Sequence, residues 1–581
     1  MISKIKPYFF PVAAVSALVI TLQGSFSSSP ASLKDVVEST PPTSTIRPND
    51  SIESPPSLLP PPPPSPTSVP RKIVLVDQSL GRTEKSCFRP WLAELKKNGA
   101  TEIVNVYTKH IGLCADGLER NLKLCNDIGL EYKCFDWKMI RPSGNHREEF
   151  KALAPFEGVI SGHEPSTEIA DQVSLMLDLD TTNCPAKSAA RKEKLLMQQT
   201  LAEAGLKHID SFFATNSDMA LKYIEQNLTF PILLKPDRSG ASVGVNICNN
   251  AKEVQAAFDE WIGADLAKKS GYFGLTGIVE GLVVQEFLTG QEFVVNIVSR
   301  DGKHVVTDMW KKYNTEDQEC IYDKEILCNN SKDHSDIVDC VVDVFDALGI
   351  RHGPSHVEVM LTADGPCLIE VGCRISGGCG AENESVPLTT IAAIAEAYMQ
   401  PDKFKLRPLH YQALEAKAVV FLVAPKDPFI NFKVLASLVA LPSFSYLWQG
   451  SIRGFCSKVP ENAAIITNTG WDNASRIKRT VDLFTTPGRL IFAHNSQEQV
   501  DADVKKAQDL KYTAFSKEIP SECYALWMRG KVEPTTDDEK LICDCQKWTH
   551  WMKYDMYSKV YQDQVVLNFT MKPKPTIVEQ T

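Results

Sequence analysis

Leu368-Ile-Glu370-Val-Gly372-Cys-Arg374-Ile-Ser-Gly-Gly378 is the stretch on which the reading of this chain turns. Twelve residues before Glu370 stands a second acid, Glu358, in His356-Val-Glu358-Val-Met-Leu361. Between them, Thr362-Ala-Asp-Gly-Pro366 has the composition of a hairpin turn, so two short strands set the carboxylates side by side. Paired carboxylates are hard oxygen ligands for a divalent cation such as magnesium. A planar guanidinium nearby forks onto phosphate oxygens. The segment therefore predicts a place where metal meets phosphate, with Glu358 and Glu370 on the metal and Arg374 on the phosphate.

A second signal precedes it in Pro231-Ile-Leu-Leu-Lys235-Pro-Asp-Arg-Ser239-Gly240-Ala-Ser242-Val-Gly244-Val. An apolar strand ends in a lysine, and small residues after it let backbone N–H groups approach phosphates. This is not a Walker A loop, because the lysine precedes the glycines. Alone it reads equally well as a hairpin with a flexible tip and a surface lysine. A third signal is Val283-Val-Gln285-Glu286-Phe-Leu288-Thr-Gly290-Gln-Glu292. Such a hinge offers backbone groups to a purine edge and a carboxylate to ribose hydroxyls, although Gln-Glu-Phe-Leu is as often an amphipathic edge strand. Met309-Trp-Lys-Lys-Tyr-Asn314 reads as a loop that either folds over a substrate or packs Trp310 and Tyr313 in a turn. His356 reads as a packed or hydrogen-bonded histidine, and Cys373 as a small packing residue.

Composition bounds the rest. A chain of 581 residues is too long for one core, and 43% hydrophobic with 23% charged residues is ordinary for a globular protein. The net charge of -10, with no basic stripe, argues against nucleic acid as a partner. The 16 cysteines are scattered, only Cys543 and Cys545 being close-set, and no zinc spacing is present. Lys4 and Lys6 precede an apolar run from Tyr8 to Leu22, with no further charge until Lys34. That pattern predicts a signal peptide or signal anchor over residues 1–24, with membrane or secretory-pathway placement and an organellar transit segment as the weaker alternative. Secretory entry would make the sequons at Asn49, Asn227, Asn329, Asn383, Asn473 and Asn568 glycan acceptors. Residues 25–70 are so rich in proline and serine that they predict a disordered stalk.

From Arg71 onward, apolar runs (Arg71–Asp77, Glu102–Tyr107, Phe156–Ser161) alternate with helical patterns (Phe88–Lys97, Ile169–Leu179), which predicts a parallel α/β layer. A helix follows over Lys192–Gly205, with Met197, Leu201 and Ala204 on one face and Gly205 as its stop. Strand signals occupy 230–300, helical spacing 335–348 and 387–398, and strands return at 416–423 and 488–492 before a helix over 497–510.

In this order, helix lysine, strand-lysine-glycine loop, acid-bearing hinge and two acidic strands ending in Arg-Ile-Ser-Gly-Gly, the chain resembles the ATP-grasp superfamily. The resemblance runs over residues 71–515 and is best over 190–380. Glu370-Val-Gly-Cys-Arg374-Ile-Ser-Gly-Gly is most similar to the L-amino-acid ligase branch of carboxylate-amine ligases, which makes dipeptides, and less similar to D-alanine–D-alanine ligases. It implies a multidomain α/β fold with a Rossmann-like pre-ATP-grasp domain (71–185) and a two-lobed α+β ATP-grasp core (186–400). A C-terminal α+β domain (401–520) and an unassigned tail (521–581) complete it.

Carried over by position, the resemblance places Lys194 (with Lys192 as competitor) and Lys235 on ATP phosphates, and Ser239, Gly240, Ser242 and Gly244 in the covering loop. Gln285, Glu286 and Leu288 fall at the adenine hinge, Glu292 on the ribose, Glu358 and Glu370 on magnesium, and Arg374 on the transferred phosphate. Gly372 departs from the asparagine that many members carry there, and Gly378 stands where some dipeptide ligases narrow the pocket with a bulky residue. The implied reaction is ATP-dependent amide formation between a small carboxylate and an amine through an acyl phosphate, releasing ADP and phosphate. It takes ATP and two Mg2+ ions, with Mn2+ as the alternative metal. The rival readings are a carboxylase-type grasp activity and a membrane-tethered ATP-binding protein without catalysis. Membrane contact would run through an uncleaved N-terminal segment, and the oligomeric state is left open.

Overall fold

Parallel strands need both faces covered, and the first apolar run has the composition for it. The computed structural model describes residues 69–516 apart from 77–87, 109–114, 241, 271–276, 316–317, 377–382, 425–428, 431–433, 435–436, 439, 450–463, 468–479 and 481–484. Strands β1 (Lys72–Val76), β2 (Glu102–Tyr107), β3 (Glu131–Asp136) and β4 (Gly158–Ser161) form a parallel sheet in the order β3-β2-β1-β4. Ile73 and Leu75 of β1 enter the core under the helix Phe88–Lys97, whereas Val74 and Val76 enter the opposite core with Phe150 and Val173. The period of two thus feeds two hydrophobic layers from one strand.

A smaller antiparallel sheet follows, β5 (Ser211–Ala214), β6 (Ile232–Lys235), β7 (Asn246–Cys248) and β8 (Leu282–Glu286), ordered β5-β8-β6-β7. The chain then builds β9 (Gln291–Arg300), β10 (Lys303–Thr315), β11 (Gln318–Leu327), β12 (Gly353–Thr362), β13 (Gly365–Gly372) and β14 (Ala416–Phe421). After β15 (Phe429–Ile430) come β16 (Phe444–Gln449), β17 (Ala464–Thr467), β18 (Gly488–His494) and β19 (Phe515–Ser516). Nine of these make one sheet, β13-β12-β9-β10-β11-β14-β18-β16-β17, and β15 pairs with β19. The helix Ser335–Leu348 lays Ile337, Val338, Val341, Val344, Phe345 and Leu348 against Val295, Ile297, Val357 and Val359 of the large sheet. Its 3.6-residue spacing leaves the other face of β12 and β13 free for polar groups.

Several expectations change here. Met309–Asn314 is not a loop but lies inside β10, hydrogen-bonded to β9 on one side and β11 on the other. The helix after residue 190 begins at Lys194 and buries Met197 and Leu201, while Ala204 caps it and is exposed. The membrane and secretory placement is corrected: among the described residues no helix is long and apolar enough to cross a membrane. The apolar N-terminal run, the proline-rich segment, Gly378 and the tail lie outside the described residues. The sequon at Asn383 is unsuited to a glycan, since that side chain is buried and accepts from Lys417 and the Ser385 amide.

Candidate active site

The two acids face each other because of a defect in the sheet. From Thr362↔Gly365 to Val359↔Leu368 the β12–β13 hairpin keeps one register, which would set Glu358 opposite Ile369. A bulge intervenes, Ile369 goes unpaired, and Glu358 faces Glu370. Facing residues of an antiparallel pair share a face, so both carboxylates leave the core side, while Val357, Val371 and Leu368 stay on it. A bulge frees carbonyls from the ladder. Buried Gln198, on the helix Lys194–Glu203, donates to Leu368 O at 3.0 Å and Ile369 O at 3.3 Å, while its own oxygen accepts from Ile209 N at 2.8 Å.

The same helix starts with Lys194, whose Nζ lies 3.1 Å from Glu370 Oε2 and also donates to the Ser239 carbonyl. It therefore bridges the large sheet and the loop of the small one. Lys192 points elsewhere, 2.8 Å from Glu168. Lys235 ends β6 and is buried. Burial, with Lys194 alongside, pulls its ammonium down to about 8. Burial also opposes the charge on Lys194, but Glu370, Glu164 and Asp237 outweigh it and raise its pKa. In the following loop Ser239 donates to Pro236 O at 3.0 Å, Asp237 accepts from Leu195 N at 3.0 Å, and Ser242 and Gly244 have positive φ. Gly240 has no neighbour where a Cβ would stand.

The hinge is the crossing from β8 to β9, hence from small sheet to large. Gln285 is buried and donates to Ser211 Oγ at 2.7 Å, Glu286 accepts from Asp210 N at 3.4 Å, and Leu288 is half-buried. Gly290 passes so close to β12 that a Cβ there would stand 2.1 Å from Leu361 O. Glu292 pairs at 2.7 Å with Lys312, a buried lysine of β10 whose ammonium lies 4.2 Å from the centre of the Tyr322 ring. Burial works against the Lys312 charge, yet Glu292 and Glu358 raise its pKa well above the ordinary lysine value. Lys312 belongs to the site and escaped the sequence reading, which had placed it in a loop.

Arg374 follows β13, and its Nε lies 2.9 Å from Glu164 Oε2, a residue of the segment after β4. The Glu164 carboxylate occupies the space beside Gly372: a Cβ on residue 372 would stand 2.4 Å from Oε2. His356 Nδ1 donates to Asn296 Oδ1 at 2.8 Å, and burial with Arg374 nearby lowers its pKa to about 3.

The residues present fit a divalent cation. Burial pushes Glu358 above the carboxylate range, Lys312 counteracting and Glu370 and Glu292 adding to the rise. Burial would raise Glu370 too, but Lys194, Lys235 and Arg374 hold it below that range. Among the described residues no lysine or arginine forms an ion pair with Glu358, and Lys312 acts on it from farther off, so close compensation is confined to Glu370 with Lys194. Among the described residues no group of three or more His, Cys, Asp and Glu converges on one point. Phosphate oxygens would thus complete the shell of a metal held by Glu358 and Glu370.

Residues 228–382 match the model of the ATP-grasp domain. Dapdiamide A synthase of Enterobacter agglomerans is 32% identical over 291 residues, which cover 48% of this chain and 67% of the synthase. The chain belongs to the ATP-grasp family. It is a ligase of the carbon–nitrogen-forming type found there. D-alanine–D-alanine ligase of Bacillus cytotoxicus is 29% identical over 120 residues, covering 20% of this chain and 29% of that ligase. The L-amino acid ligase of Bacillus licheniformis superposes with a TM-score of 0.50 at 18% identity, over 76% of this chain and 98% of that structure, and so shares the ATP-grasp fold.

Proposed function

We propose that this ATP-grasp ligase joins a small carboxylate to an amine, forming an amide of the peptide type. The observation that carries the reading is the shared face of Glu358 and Glu370, with Arg374 just beyond β13, Lys194 on the helix packed against the same sheet, and Lys235 reaching Glu370 from the small sheet. A substrate carboxylate oxygen attacks the γ-phosphorus of ATP, the bond to the β-bridging oxygen breaks, and ADP leaves. The amine then attacks the acyl phosphate at its carbonyl carbon, loses a proton, and expels phosphate. Lys194 and Lys235 bind the phosphates, the loop Ser239–Gly244 covers them, Gln285, Glu286 and Leu288 hold the adenine, and Glu292 the ribose. Magnesium held by Glu358 and Glu370, two ions in the reading favoured here, supplies charge neutralisation at the phosphate oxygens when bound. Arg374 orients the transferred phosphoryl group, so the protein contributes position and electrostatics.

The relatives support the reading: by name they are a dapdiamide A synthase and D-alanine–D-alanine ligases. The test is ADP release by the full chain with Mg2+ and pairwise amino-acid mixtures, with mass spectrometry of the products. Turnover that needs two substrates and yields an amide supports the proposal. Arg374→Ala and Glu370→Ala are expected to lose at least ~10²-fold in rate while staying folded. Near-normal ADP release from either variant would sink it.

A further inference from the structure

Two strands from Glu292, on the side away from the carboxylate pair, the β10–β11 hairpin has a bulge of its own. Lys312 faces Glu325 and Tyr313 faces Lys324, but Asn314 faces Tyr322, so Asp323 goes unpaired. Facing residues share a face of the sheet. The Lys324 ammonium lies 4.8 Å from the centre of the Tyr313 ring, while Lys312 and Glu325 stand on the other face with Glu292. In a continuous ladder Asp323 would stand opposite Asn314, and Tyr322 would fall on the Tyr313 face. With Asp323 left out, Tyr322 shares the face of Lys312, and its ring centre lies 4.2 Å from the Lys312 ammonium. The buried ring also packs on Phe421 of β14, with centroids 5.2 Å apart. Lys312 is thus held between the Glu292 carboxylate, at 2.7 Å, and an aromatic face, a contact that strengthens out of water.

A helix distant in sequence holds Asp323 out. Val500, Val504 and Ala507 of the helix Gln497–Lys511 pack with Ala418 and Val420 of β14 and Leu490 and Phe492 of β18. Val420 faces Lys324 across the ladder, so this helix covers the face away from the site. Near its end, Gln508 Nε2 donates to Asp323 Oδ2 at 2.6 Å, and the buried Lys511 donates to Asp323 Oδ1. Gln508 Oε1 accepts from Lys324 at 3.0 Å. Both oxygens of the unpaired residue are therefore engaged on the outer face, one residue away from the ring that touches Lys312.

We infer that the helix Gln497–Lys511 is a working part of the nucleotide site. By keeping Asp323 out of the ladder it aims Tyr322 at Lys312, and Tyr322 is the positioning residue that sets Lys312 and, through it, Glu292. The inference rests on the placement of Glu292 at the ribose in the reading above. It extends the site to an element well beyond residues 228–382, which match the ATP-grasp domain.

The test measures, by calorimetry on the full chain with Mg2+, the binding of ATP and of 2′,3′-dideoxy-ATP, which lacks the ribose hydroxyls. The wild type should favour ATP about tenfold, the order of one hydrogen bond to a carboxylate. Asp323→Val combined with Lys511→Met removes both charges at once, so no buried ion is stranded, and residue 323 gains a strand-favouring side chain. This double variant should lose most of the preference for ATP while binding dideoxy-ATP within about twofold of the wild type. Deleting residue 323 in the Lys511→Met background leaves Tyr322 opposite Asn314 in a continuous ladder and should restore the preference. Tyr322→Leu should lose it, and Tyr322→Phe, which keeps a ring face, should retain most of it. A double variant that keeps the preference would overturn the inference. So would one that loses both nucleotides equally, since the helix would then be structural only. A wild type that binds the two nucleotides equally would instead overturn the ribose placement of Glu292, and this inference with it.

Discussion

Glu164 Oε2 lies 2.9 Å from Arg374 Nε, and the same carboxylate takes the room that any side chain on residue 372 would need. Glycine at 372, which departs from the asparagine many members carry there, is thus the gap through which Glu164 reaches the arginine. Glu164→Gln should lower kcat about tenfold with little change in the KM for ATP, because it frees Arg374 without touching the nucleotide. Gly372→Ala should do the same by displacing Glu164. In a double-mutant cycle the Gly372→Ala effect should nearly vanish once Glu164 is alanine. Additive losses would break the link between the two residues.

Gln198 makes three hydrogen bonds to backbone groups, two of them to carbonyls at the β13 bulge. Gln198→Met, similar in volume but unable to donate or accept comparably, should cost about 2–3 kcal/mol in denaturant unfolding. Its activity should fall further than that of an equally destabilised variant elsewhere, because the bulge sets Glu370. Equal losses at equal stability would show the glutamine to be structural only.

Lys312 keeps Glu292 and Glu358 company inside the protein, its side chain 6% exposed. Lys312→Met leaves these carboxylates without their cation, and losses of roughly 3–5 kcal/mol are usual for such a change. Millimolar Mg2+ should raise the melting temperature of this variant more than that of the wild type, since the ion restores positive charge beside Glu358. A smaller Mg2+ response in the variant would contradict the placement of the metal.

Asp308 is fully buried, and burial raises its carboxyl from the ordinary 3.8 to about 6, with Asn296 and Trp310 opposing the rise. A folded-state value above the unfolded one gives stability that is present below pH 4 and lost as pH climbs through 6. Asp308→Asn keeps an acceptor without the titration. The wild type should therefore lose stability relative to this variant between pH 4 and 6, by at most about 3 kcal/mol. A stability difference that is flat across that window would show that burial does not raise the Asp308 carboxyl in the folded chain.

Much of the site was readable because it is written locally. Lys235 ends an apolar run, Glu292 follows a hinge, and Glu358 and Glu370 flank turn residues, so residue type and spacing offered them as candidates and the ATP-grasp order gave each its expected role. What escaped depends on contacts between distant segments. Nothing near Glu164 tells of Arg374, and nothing in Leu368-Ile-Glu370 marks Ile369 as unpaired. Met309–Asn314 misled because its lysines and aromatics lack simple alternation: as an interior strand of a large sheet, β10 buries residues on both faces. The same misreading hid Lys312.

The unpaired Ile369 gives the hairpin a parity. Side chains alternate, so Ile369 taken into the ladder would itself face Glu358, aim the second acid at the Val357 side and bring Val371 into the pocket. Deleting Ile369 should therefore keep Glu358 opposite Glu370 in an unbroken ladder, at the cost of the carbonyl that Gln198 holds at the bulge. What brings the two acids together is that Leu368 and Glu370 count as neighbours in the ladder, whatever is looped out between them.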